Sequence, residues 1–144
     1  MACETAPSQW DARFKTSVAT TQNVIHAAMP IFADCGCGRV VNIGAISACE
    51  GQANMSAYGT AMRITESFSK ERRNKKVNVS AVLAIMIDAP RNRAEVLDAD
   101  FSRWVGPDDL ADVICFLGSD TAAAIHGALL SLVGLSLVRS PRRS

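Results

Sequence analysis

Arg39–Met62 reads RVVNIGAISACEGQANMSAYGTAM. Val40, Val41 and Ile43 form a short apolar, β-branched run, the composition of a buried strand. Gly44-Ala45 ends it. A polar, glycine-containing loop follows, and Ser56-Ala57-Tyr58 opens a stretch of helical character. This succession sets Tyr58 near the carboxyl end of a strand, where a phenol can donate a proton to a bound carbonyl.

Upstream, Trp10–Met29 carries helical periodicity, with Trp10, Phe14, Val18 and Ile25 near one stripe and Val24 and Ala28 widening it. Ser8 is the expected N-cap, Asp11 suits the positive end of the helix, and Pro30 followed by Asp34–Gly38 is expected to end it. His26 reads as a surface residue near that end. Downstream, a helix is expected over Ser56–Arg73, with Ile64, Phe68 and Arg72 spaced by four. The charge run Lys70–Lys76 reads as its solvated end.

Val77–Leu83 is a second strand, and Ala84–Gly106 a long irregular segment. Pro107 starts another helix, with Asp108 and Asp109 at its positive end and Leu110, Val113, Ile114 and Leu117 as its apolar face. Gly118-Ser119-Asp120 stops it, and Ala128–Val133 is the third strand. Helices and strands alternate, so a parallel α/β sheet is expected. The apolar run at Arg39–Ile43 suggests burial on both faces. Ligands of such sheets bind beyond the carboxyl ends of the strands.

The 144 residues suit one domain, 1–144, with residues 1–8 and 135–144 expected as flexible termini. A net charge of +1 gives no global attraction to nucleic acid or to an anionic membrane. No secretory leader is apparent, and no apolar run reaches the roughly 18 residues that span a bilayer. A cytoplasmic location is the expectation. Five cysteines without a leader read as reduced thiols. Cys35 and Cys37 lack the further ligands that a structural zinc site needs, His26 and His126 being poorly spaced for it, so no metal is expected.

GRVVNIGA, SAY, VNVSAVL, IDAPRNR, GPDDLADVICFLGSD and HGALLSLVG, in that order, resemble the short-chain dehydrogenases/reductases. The resemblance runs from about Trp10 to Gly134. Ile87–Trp104 is similar to dihydropteridine reductases and their bacterial relatives. The resemblance implies a Rossmann-like three-layer fold of about three parallel strands flanked by helices, without the amino-terminal glycine-rich βαβ half. It also implies an oxidoreductase acting on a carbonyl or similar small molecule, with NAD or NADP as hydride donor and Tyr58, Ile43 and Ile87 at the cofactor. Tyr58 takes the place of the family's proton donor.

Several family positions hold other residues. The lysine four residues after the tyrosine is Met62, which has neither a charge to tune the phenol nor a donor for a ribose hydroxyl. Arg63 lies on another side of the helix. The carbonyl-polarising serine is Ala45, the relay asparagine is Ser17, the nicotinamide-bonding threonine is Ala89, and a Pro-Gly is Ala84-Ile85. Val77 follows Tyr58 about one helical turn early, as a deletion of about four residues between Ala61 and Met62 would produce. No glycine-rich turn follows a strand, so the pyrophosphate site is missing and cofactor binding is doubtful. Two outcomes are expected: a catalytically deficient oxidoreductase by descent, or a non-catalytic fragment that pairs with itself or a full-length relative. The uncovered edge at Arg39–Ile43 favours the second. A marginally folded product is the remaining alternative.

Overall fold

Val77-Asn78-Val79-Ser80-Ala81-Val82-Leu83-Ala84 lies at the centre of the molecule. Seven of these eight residues are buried, with Asn78 partly so. In the computed structural model, which describes residues 6–50, 56–72 and 75–134 (for 56–58 the backbone only), this segment is the middle strand of a three-stranded parallel sheet. The elements are α1 (Pro7–Phe14), a π-helical turn (Lys15–Ala19), α2 (Thr20–Cys35), β1 (Gly38–Ala45), α3 (Ser56–Arg72), β2 (Val77–Ala84), α4 (Pro90–Glu95), α5 (Pro107–Gly118) and β3 (Leu129–Leu132). The sheet order is β1-β2-β3. Gly38 is opposite Val77 and Ala45 opposite Ala84; Ala81 is opposite Leu129 and Ala84 opposite Leu132.

Successive strand residues point to opposite faces. Ala81 and Leu83 therefore join a core with Val18, Ala48, Ala61 and Met62, under α3 and the π-helical turn. Val82 and Ala84 join a second core with Val105, Leu110, Leu117 and Ala122, under α5. The sheet is thus the middle of three layers, as expected. Among the described residues β1 is an edge strand. Its residues are mostly half-buried and Ile43 is 51% exposed. Burial on both faces, expected for β1, is instead the property of β2, which packs side chains into both cores, whereas β1 is mostly half-buried.

The first helical stretch departs from expectation at both ends. It opens at Pro7, whose missing N–H is no loss in a first turn, and Ser8 lies inside the helix rather than capping it. Pro30 does not end it; the helix continues to Cys35 and stops at Gly36, which takes φ +72°. Proline at position 30 removes one N–H from the helix ladder, but Pro30 is exposed, so water can take the freed carbonyl. Gly36 supplies the left-handed residue that closes a helix. Of the expected stripe, Val18 and Ile25 are buried, whereas Trp10 and Phe14 are each 39% exposed.

On α3 the buried line is Ala61, Met62, Thr65 and Ser69, with Ile64 and Phe68 only partly covered. Polar residues can lie there because each is bonded. Asn42 Nδ2 donates to Thr65 Oγ1 (2.7 Å), Thr65 Oγ1 donates to the Ala61 carbonyl (3.2 Å), and Ser69 Oγ donates to the Glu66 carbonyl (2.7 Å). The four described cysteines, Cys35, Cys37, Cys49 and Cys115, are all unpaired. No helix among the described residues is long and apolar enough to cross a membrane.

Candidate active site

The carboxyl ends of the strands carry Ala45, Ala84 and Leu132 side by side. Around them lie the π-helical turn, the start of α3 and the segment 85–106. A cleft of about 190 Å³ opens between the first two, lined by Thr16, Ser17, Thr20, Thr21, Ile43, Ala61 and Met62. Ser17, Ile43 and Met62, three positions singled out in the sequence, therefore share one wall. Ala45 and Ile87 lie outside that lining.

Local bonding shapes the cleft. Thr16 donates its hydroxyl to the Ala12 carbonyl (2.7 Å), Thr20 to the Lys15 carbonyl (3.1 Å) and Thr21 to the Ser17 carbonyl (2.9 Å). The Thr20 N–H also bonds the Lys15 carbonyl, the five-residue step of a π turn. Such turns bulge a helix and re-aim the side chains within it. Three of the four hydroxyls on this wall are thus turned back onto the helix. A bound carbonyl would find few donors there.

Tyr58 is the third residue of α3. Its side chain lies outside the described residues. The first turn of the helix is held close to the preceding loop: a Cβ at Gly59 would lie 2.8 Å from the Ala48 carbonyl oxygen. Real Cβ contacts are not that short, so glycine is required for this approach.

Met62 has a definite place. It is 3% exposed and belongs to the core beneath β1. A Cβ at Gly44 would lie 2.5 Å from its sulfur and 3.2 Å from Leu83 Cδ2. The thioether therefore fills the space that the missing side chain of Gly44 leaves. Residue 62 is thus a packing residue of the core.

The segment expected to be irregular, 84–106, is built. Ile87 bridges Val105 in parallel, with Val105 N–H donating to the Met86 carbonyl and Asp88 N–H to the Val105 carbonyl, both at 2.8 Å. Pro90 occupies the first turn of α4. Asn92 Nδ2 and the Ala89 N–H both donate to the Ile87 carbonyl, at 2.8 and 2.9 Å. Arg93 holds Asp88 through Nε (2.5 Å) and Nη2 (2.7 Å) and lies 4.8 Å from the centre of the Phe101 ring, which meets Trp104 edge-on. The hydrogen bonds from Arg93 draw the Asp88 carboxyl below its ordinary value, against the opposing effect of desolvation, and its charge adds to the shift. Arg93 is raised in return, chiefly by the same bonds. Asp100 is likewise lowered, chiefly by the Ser102 hydroxyl.

Two residues make structural contacts that the sequence does not reveal. His126 Nε2 lies 2.5 Å from the Ser69 carbonyl, and its Nδ1 accepts from the Val79 N–H at 3.4 Å. The ring thus ties the end of α3 to β2. Gly134, at φ +65°, lies against segment 85–106; a Cβ there would be 2.2 Å from the Arg103 carbonyl oxygen. A glycine after a strand was visible in the sequence, but not the backbone it touches.

A family model described as enoyl-(acyl carrier protein) reductase matches residues 1–134. The chain belongs to the short-chain dehydrogenase/reductase family. It is 28% identical over 139 residues to nodulation protein G of Azospirillum brasilense, covering 88% of this chain and 56% of that protein. It is 29% identical over 141 residues to an acetoacetyl-CoA reductase of Shinella zoogloeoides, covering 89% and 58%. The fold is similar to that of a putative NAD(P)-dependent gluconate 5-dehydrogenase from Beutenbergia cavernae with bound NADP (TM-score 0.82, 21% identity, 92% of this chain and 59% of that one). It is also similar to a 3-ketoacyl-(acyl-carrier-protein) reductase from Brucella melitensis complexed with NADH (TM-score 0.76, 21% identity, 92% and 59%). The chain spans somewhat over half the length of these relatives, and its three-stranded, helix-flanked sheet is the Rossmann-like fold expected.

Proposed function

We propose that this chain derives from an NAD(P)-dependent reductase of small carbonyl compounds and, as it stands, does not turn over. One observation carries the reading: Met62 is packed under Gly44 in the core, where the family pattern has a lysine. A phenol has a pKa of about 10 and needs a nearby positive charge to act near neutrality. Tyr58 is the inherited proton donor, and residue 62 supplies it with no charge. Ala45 supplies no hydroxyl to polarise a carbonyl, and Ser17 stands where a relay asparagine is expected.

The described residues do not fit a nicotinamide dinucleotide. Met62 offers a ribose no donor. The Ile87 carbonyl, one of the backbone groups expected at the cofactor, already accepts two hydrogen bonds. Ile85, 57% exposed, stands where the family pattern has a glycine that lets the ring approach. No catalytic step is therefore written through the cofactor. Fluorescence titration with NADH and NADPH tests this reading. We expect no saturable binding at micromolar cofactor, and micromolar saturation would refute it.

A second reading is favoured by the edge of β1, unpaired among the described residues: a non-catalytic subunit that pairs with another copy or with a longer relative in the cytoplasm. An uncovered strand edge invites pairing. Light scattering on the purified chain should then show an assembly larger than the monomer; a stable monomer would refute self-association.

A further inference from the structure

A second cleft lies at the other end of the sheet. It has a volume of about 520 Å³ and is formed where β1 and β2 begin, lined in part by Cys37, Arg39, Lys76, Asn78 and Asp120. That size suits a small molecule. The candidate active site, at the carboxyl ends, has no part in it.

Arg39 is the principal group. Its side chain is only 20% exposed, yet among the described residues the guanidinium makes one hydrogen bond, from Nη2 to Asp120 Oδ1 at 3.1 Å. A guanidinium has five N–H donors in a planar fork. Most of them have no acceptor among the described residues and are open to the water of the cleft, free to take a ligand's oxygens. Asp120 holds its place weakly. Its carboxylate is fully exposed, and exposed pairs hold only weakly.

Lys76 is the second cation of the wall. It is the one described residue other than glycine with positive φ, at +53°, and its carbonyl accepts from the Gly38 N–H at 3.1 Å. A left-handed backbone is easier for glycine than for lysine. Asn78 fixes the floor by donating to the Ala123 carbonyl at 2.8 Å and the Ile125 carbonyl at 2.9 Å. Arg39 and Lys76 both line the cleft and Asp120 is the one carboxylate among its described lining residues, so the lining carries an excess positive charge.

We propose that this cleft binds a small oxyanion, a molecule bearing a carboxylate or a phosphate, which Arg39 grips in place of Asp120 and Lys76 neutralises. Forked guanidinium donors match two oxygens of either group.

Calorimetric titration of the full chain with inorganic phosphate, and separately with succinate, at constant ionic strength tests the proposal and distinguishes the two chemistries. Saturable binding is expected in at least one arm. Arg39→Met should weaken it about tenfold or more, since bonds to a charged group contribute about 1.5–3 kcal/mol. Asp120→Asn should tighten it by removing the competitor. Lys76→Gly should weaken it while leaving the melting temperature unchanged or higher, because glycine relieves the backbone. Absence of saturable binding in both arms overturns the proposal. So does affinity that is indifferent to Arg39→Met, or that fails to rise in Asp120→Asn, a surface change that removes no core contact.

Discussion

Met62→Lys restores, on paper, the residue that the family pattern expects. The structure predicts damage instead. Met62 is 3% exposed among Val18, Ala48, Ala61, Ala81 and Leu83, with its sulfur under Gly44. A lysine stem can replace much of the methionine's packing, so the cost comes from the ammonium. Full burial lowers a lysine pKa by up to about 3–5 units, and each unit corresponds to 1.36 kcal/mol. Residue 62 also lines the 190 Å³ cleft, which lets the charge reach some water. A loss of about 3 kcal/mol at pH 7 follows, below the fully buried limit. With a slope of about 2 kcal/mol per molar, the urea midpoint should fall by about 1.5 M. The sign with pH is fixed. The unfolded lysine keeps its proton up to about pH 10, whereas the folded one gives it up earlier, so the variant should regain stability as pH rises between the two values. Met62→Leu, which conserves volume, should cost less than about 1.5 kcal/mol. Urea unfolding followed by circular dichroism at pH 7 and 9.5 measures all three. A Met62→Lys protein as stable as the parent at pH 7, with no pH trend, would show that residue 62 faces the cleft rather than the core.

Gly134→Ala should cost about 2–4 kcal/mol, from a left-handed alanine and from a Cβ driven into the Arg103 carbonyl; thermal melting reads the loss, and hydrogen exchange should show Phe101–Val105 loosened first. Ser80→Ala should go the other way. The Ser80 hydroxyl is buried without a partner, so its removal should be neutral or stabilising by up to about 1 kcal/mol in the same melt. The Asp88–Arg93 pair should keep segment 85–106 protected above the ordinary carboxylate value of 3.8 and release it as pH falls through the lowered folded value. Asp88→Asn should show that loosened exchange already at neutral pH.

The sheet was legible because its signals are local. The β-branched runs at Val40–Ile43 and Val77–Leu83, separated by helical periodicity, prescribe parallel strands, and the observed strands extend them by one or two residues. What the sequence concealed depends on neighbours. Arg39–Ile43 is as apolar as a central strand, but its burial is decided by what lies beyond it, and among the described residues nothing pairs with its outer edge. Thr65 and Ser69 are polar by type and were assigned to no core face; Asn42 and the helix's own carbonyls make them buriable. Pro30 reads as a helix stop because it forfeits an N–H, and on the exposed side of α2 that loss is small. At the site, the resemblance expects a lysine where this chain has Met62. The sequence did not show that the sulfur packs under Gly44, because that contact joins two elements eighteen residues apart.

The most direct measurement is steady-state oxidation of NADH and NADPH by the purified chain against a panel of small carbonyl substrates, including a 3-oxoacyl thioester and a dihydropterin, with Tyr58→Phe alongside. The structure predicts no turnover above background and no difference between the two proteins. Clear turnover by the parent that Tyr58→Phe abolishes would contradict the account, showing that Tyr58 is activated without a lysine at position 62.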